Sequence, residues 1–161
     1  MTDPAASLAR RSDPQAVAIL AAAIGLEVRS AEDAASLPLR GKKIGLLCET
    51  GSANALLVRD AAEALGAYVA AIGPMWRTVA PGDALRRTAE AIGRLYDAVE
   101  CDGMPSALLE PFTSHCGVPV FEGLGSALHA TAPLAELLDP SRPAVERRRL
   151  IVQGALLVAL R

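Results

Sequence analysis

With 161 residues, 52% of them hydrophobic and 21% charged, the chain can bury a real core and is too apolar for a disordered segment. Aromatic residues make up 3%, so that core must be built from Ala, Leu, Val and Ile. The net charge of −2 is spread along the chain, which argues against a nucleic-acid partner. The longest apolar run, Leu150 to Leu160 broken by Gln153, falls short of the ~20 residues a bilayer demands and argues against a membrane one.

A polar N-terminal arm is expected over residues 1–13. The first helix starts at Pro14, a residue suited to a first helical turn, with Val17, Leu20, Ala21 and Ile24 sharing a face. A polar connector at 30–41 leads to a strand at Ile44–Cys48 and a helix at Ala53–Leu65, which Gly66 stops. Tyr68–Ile72 is a second strand and Gly73–Pro81 a loop holding Trp76 and Arg77. Gly82–Leu95 reads as a helix on the spacing of Leu85, Ala89, Ile92 and Leu95, followed by a strand at Ala98–Cys101. A turn at Asp102–Ser106 opens a short helix to about Ser114; Val118–Phe121 is the fourth strand. Glu122–Ser126 turns into a helix over Ala127–Leu138, Asp139–Pro143 breaks it, and 144–160 is a C-terminal helix.

Short apolar strands alternating with helices predict a single α/β domain over 1–161: a three-layer sandwich whose four-stranded parallel sheet is doubly wound, with helices on both faces. The turns after the first, third and fourth strands then meet at the carboxyl edge, where such sheets bind ligands. At the first of these, Glu49-Thr50-Gly51 ends the strand and Ser52 stands at a helix N-cap, a generic anion-binding geometry. Ser52 and Asn54 read either as a cap with a first-turn polar residue or as a ligand loop. His129 reads either as a helix-terminal histidine or as a site residue. Asp102 and Glu122, both at strand ends, suit a polar rim or a cationic amine, with no nucleophile specified for acid–base work.

Cys48, Cys101 and Cys116 lack metal-ligand spacing; an odd count without a signal peptide points to a reducing cytoplasm. Cys48 and Cys101 read as small buried hydrophobes, and His115-Cys116, adjacent on a helix, do not form a dyad. GLGSALH from Gly123 lacks nucleotide-loop spacing, so neither cofactor nor metal is expected. Arg147-Arg148-Arg149 reads as a solvated helix face or an interface rim.

Lys42–Gly66, KKIGLLCETGSANALLVRDAAEALG, resembles the carbamoyl-phosphate-binding loop of the aspartate and ornithine carbamoyltransferases, whose strand is followed by F-E-x-x-S-T-R-T-R. Glu49 and Ser52 match; Ala53, Asn54, Ala55 and Leu56 stand in place of Thr, Arg, Thr and Arg. GDALRRTA from Gly82 is similar to G-E-S-x-x-D-T-A, Tyr96–Val99 to the strand leading to a site arginine, and GVPVFEGL from Gly117 to G-V-P-V-I-N-G-L. His129 takes the place of the His in H-P-x-Q. The similarity runs in order over roughly residues 14 to 138.

The resemblance implies a carbamoyl-phosphate-binding domain standing alone, without the family's amino-acid domain, with Glu49, Ser52, Ala53, Asn54, Ala55, Asp102 and His129 as its ligand-binding positions. The phosphate-gripping arginines are gone, and Asp102 puts a negative charge where the family has a third-strand Arg. The swinging cation near Ala80-Pro81 is also missing; Arg77 from a neighbouring subunit is its expected substitute. The implied protein has no assigned catalytic residue and is not a competent transcarbamoylase alone. It is instead a small-ligand-binding or assembly subunit, a homotrimer by analogy with the loop Trp76–Gly82 reaching the neighbour. Two alternatives stay open: half of a split transferase completed by a partner chain supplying an amino-acid-binding domain, or an enzyme of altered specificity using Asp102, Glu49 and His129. The helix at 144–160 is expected to fill the groove of a helix that in the family returns from the second domain.

Overall fold

The computed structural model of the chain describes residues 13–29 and 37–161. The expected arm lies outside them except for Asp13, and so does most of the expected connector. Asp13 caps the first helix, α1 (Pro14–Glu27): its carboxylate accepts from the Gln15 N–H at 3.0 Å, and Pro14 fills the first turn.

α1 is apolar nearly all round, so spacing alone does not fix its inward face. Ile19 and Ala23, four residues apart, are the buried pair, whereas Val17 is 51% exposed and Ile24 42%. The face expected from Val17, Leu20, Ala21 and Ile24 is therefore rotated. What sets it is the last helix, α5 (Ala144–Leu160), whose side chains from Leu150 to Leu157 are buried. A Cβ at Gly154 would stand 2.5 Å from the Ile19 carbonyl, so the two backbones touch there.

The strands β1 (Lys43–Leu47), β2 (Tyr68–Ala71), β3 (Ala98–Cys101) and β4 (Val120–Glu122) pair in parallel in the order β2-β1-β3-β4. Ile44 and Leu46 face α1, α5 and α2 (Ala53–Ala64). Leu47, Val99 and Cys101 face α3 (Asp83–Leu95), α4 (Ser106–Cys116) and Trp76. This is the expected three-layer α/β sandwich, with the strand order reversing between β1 and β3.

Two expected elements differ. β4 starts at Val120 rather than Val118, because Pro119 has no N–H and enters the ladder only through its carbonyl, which accepts from Val99 at 2.9 Å. The helix expected over Ala127–Leu138 does not form; turns lead to a 3-10 segment at Ala132–Leu137. Ser126 Oγ accepts from the Leu128 N–H at 3.1 Å and His129 Nδ1 from the Thr131 N–H at 3.2 Å, which diverts donors from a helical ladder. Pro133 removes another donor. Leu128, an apolar residue of that expected helix, is 95% exposed.

Candidate functional site

The carboxyl edge of β1 and β3 is the crevice where open α/β sheets take ligands. Here it is bridged from within. Ser52 caps α2, its Oγ accepting from the Ala55 N–H at 3.3 Å and donating to Asp102 Oδ2 at 2.8 Å. Asn54 Nδ2 donates to the same carboxylate oxygen at 3.2 Å. The cap reading of Ser52 is realised, and the same hydroxyl also holds a group from the facing loop. That group is an anion, placed where the helix N-terminus favours negative charge. Ala53 is exposed and Ala55 buried, and neither brings a polar side chain.

This bridge divides the crevice. On the β1–β2 side, Cys48 to Ser52, Leu56 and Arg59 line a hollow of about 280 Å³. On the β3–β4 side, Asp102, Glu122, Ser126 and His129 line an open cleft of about 570 Å³. Ser52 and His129, expected to share one site, therefore face different hollows. A larger groove of about 680 Å³ runs between α1 and α5, away from this edge, with Arg29 and Arg161 its polar groups.

Glu49 forms an ion pair with Arg77 of the same chain at 2.5 Å, a contact exposed enough to be worth well under ~1 kcal/mol. His129 is fixed by Thr131: Nδ1 accepts from the Thr131 N–H and lies 2.9 Å from its hydroxyl, which leaves Nε2 for the cleft. Burial lowers the His129 pKa, helped by the nearby Arg148 guanidinium and opposed by Glu122. Its neutral ring can donate through Nε2 but adds no positive charge at neutral pH. Cys48 and Cys101 are buried on opposite faces of the sheet, and burial raises both thiols. Cys116 is buried beside an exposed His115. Among the described residues, no group of three or more His, Cys, Asp or Glu could hold a metal ion. No described helix is long and apolar enough to cross a membrane.

Two side chains matter here that the sequence reading passed over. Glu100, in the centre of β3, is fully buried, and neither of its oxygens has a hydrogen bond. The N–H groups of Leu124 and Gly125 lower its pKa but fall outside hydrogen-bonding geometry. Burial dominates, and with the Asp102 charge it pushes the carboxyl up to about 8. Arg148 is the other. Rather than pointing to solvent, it reaches the carbonyls of Leu124 and Ser126, the latter at 3.1 Å. Arg147 also turns inward, to the Ala135 carbonyl at 3.1 Å; of the triplet, Arg149 alone is exposed. The signals were a charged residue inside the strand AVEC and the place of Arg148 three, four and seven residues before the buried Ile151, Val152 and Ala155.

No protein-family model matches the chain. It is 35% identical over 101 residues to an ornithine carbamoyltransferase of Cutibacterium acnes, covering 62% of this chain and 30% of that enzyme. A catabolic ornithine carbamoyltransferase of Haemophilus influenzae is 34% identical over the same length and coverage. The chain thus spans about 30% of the length of the curated relatives it matches. Among solved structures, an anabolic ornithine carbamoyltransferase from Campylobacter jejuni superposes with a TM-score of 0.60 at 20% identity, over 76% of this chain and 40% of that one. The Burkholderia thailandensis enzyme gives 0.59 at 20% identity, over 75% and 42%. The structures speak for the fold and the aligned sequences for kinship: the chain is a homologue of ornithine carbamoyltransferases over about 62% of its length.

Proposed function

We propose that this chain is a degenerate carbamoyl-phosphate domain that does not carry out carbamoyl transfer on its own and serves as a small-ligand-binding or assembly subunit, trimeric and cytoplasmic. One observation carries the reading: the Asp102 carboxylate lies on Ser52 and Asn54, so the protein's own anion takes the donors that a phosphate would need. Unit charges ~4 Å apart interact by about 4 kcal/mol at an effective dielectric of 20. A phosphate dianion would therefore have to displace Asp102 and also bear its repulsion. In the β3–β4 cleft the polar groups left to a ligand are Asp102, Glu122, Ser126 and the Nε2 of His129, which suit a neutral or cationic small molecule.

Calorimetric titration with carbamoyl phosphate, with inorganic phosphate as control, tests this. The unmodified chain is expected to show no binding at millimolar ligand. Asp102→Arg, which frees Ser52 and Asn54 and reverses the charge, is expected to gain it. Micromolar binding of carbamoyl phosphate by the unmodified chain would overturn the reading and favour half of a split transferase completed by a second chain.

A further inference from the structure

The turn Leu124-Gly125-Ser126 forms part of the wall between the sheet and the cleft, and two things hold it. Arg148 binds the carbonyls of Leu124 and Ser126 and lies 3.4 Å from the Thr131 hydroxyl. Gly125 packs so closely on α2 that a Cβ there would come within 2.1 Å of the Asn54 carbonyl. Beneath the turn lies Glu100, fully buried, with both oxygens unbonded. Arg148 keeps a buried Nε with no hydrogen bond, so its guanidinium is committed to the carbonyls without being saturated.

The guanidinium therefore has two competing acceptors, the turn carbonyls and the carboxylate below them. We propose that Glu100 is a proton-controlled latch for this turn. Protonated, it leaves Arg148 on the Leu124 and Ser126 carbonyls and the cleft wall closed. When its O–H bond breaks and the proton passes to bulk water, the carboxylate attracts Arg148 and the Leu124 and Gly125 N–H groups, and the turn shifts inward together with the cleft residues Ser126 and His129.

The ionisable groups around Glu100 agree with a neutral resting form. Asp102, just past the end of β3, opposes its ionisation, whereas the Leu124 and Gly125 N–H groups and Arg148 on α5 favour it; burial outweighs them. Cys48, at the end of β1, has its thiol raised by burial and by the Asp102 and Glu100 charges, with Arg59 of α2 acting the other way. In the loop after β4, His129 is kept neutral by burial and by Arg148. With the carboxyl pushed up to about 8, the latch would work just above neutral pH. This inference is independent of which ligand the cleft takes.

The test is an NMR titration of the full chain from pH 6 to 10, following the Glu100 carboxyl carbon and the Leu124, Gly125 and His129 amides. A shared one-proton midpoint near 8 is expected. In Glu100→Gln the amide step near that pH is expected to vanish. The latch is overturned by a Glu100 midpoint in the ordinary carboxylate range, by amides that do not follow it, or by the same amide step in Glu100→Gln. Should that variant not fold, the unmodified chain decides alone, because coincident or separate midpoints of carbon and amides remain readable.

Discussion

A carboxyl group sealed inside a sheet without a well-formed hydrogen bond is cheaper to hold protonated than ionised, and Glu100 turns that cost into a pH dependence. In the unfolded chain it titrates near 4.5, and in the fold near 8. Below the first value both states carry the proton. Between the two values the unfolded chain ionises while the folded one does not, so stability falls as pH rises, by up to ~1.4 kcal/mol per pH unit from this one group. Urea unfolding of the unmodified chain and Glu100→Gln at pH 5, 6, 7 and 8 should therefore diverge, the variant gaining relative stability at each step. Parallel curves would mean that Glu100 is ionised in the fold. The odd residue in AVEC was visible in the sequence as an anomaly. Its lack of a partner was not, because that depends on where Arg148 points, 48 residues along the chain.

Backbone proximity decides at the scale of elements. The crossing of α1 and α5 depends on Gly154 having no side chain, since a Cβ would meet backbone rather than a yielding side-chain tip. Gly154→Ala must push the helices apart and is expected to cost about 1–3 kcal/mol, against the gain that alanine normally brings inside a helix. Gly25→Ala, in α1, supplies the contrast: nothing lies within 4 Å of a Cβ there, and a gain of up to ~1 kcal/mol is expected. Chemical denaturation of both variants checks the pair; equal effects would remove the crossing as the cause. The strands and the helices α2 to α5 were legible because apolar runs, caps and glycine stops agreed there. The face of α1 was not, since a helix apolar on every side carries no directional signal. The segment Ala127–Leu138 misled for the opposite reason: its apolar spacing suited a helix, but Ser126, His129 and Pro133 withdraw the donors that a helix needs.

For the molecule as a whole, the layers and the parallel sheet followed from the alternation of strand and helix, whereas the division of the crevice did not. Ser52, Asn54 and Asp102 were each candidate ligand residues, and no pattern along the chain says that they satisfy one another across two loops. The proposed trimer is subject to the same kind of correction. The loop Trp76–Gly82 was expected to reach a neighbour, but Trp76 is 9% exposed and packs with Leu85 and Met104 in its own core. Arg77 is occupied by Glu49. The part of the loop left to meet another copy is Thr78 to Gly82, with Ala80 exposed. If this stretch forms the contact, Ala80→Asp buries an unpaired charge in each interface while leaving the single chain untouched. Sedimentation equilibrium should then give three times the chain mass for the unmodified protein and one chain mass for Ala80→Asp, with unchanged circular dichroism. A monomeric unmodified protein at tens of micromolar would remove assembly from the proposed function and leave the cleft beside Asp102 and His129 as its remaining basis. A trimer indifferent to Ala80→Asp would move the contact elsewhere, with the exposed Leu128 on the cleft rim the next position to change.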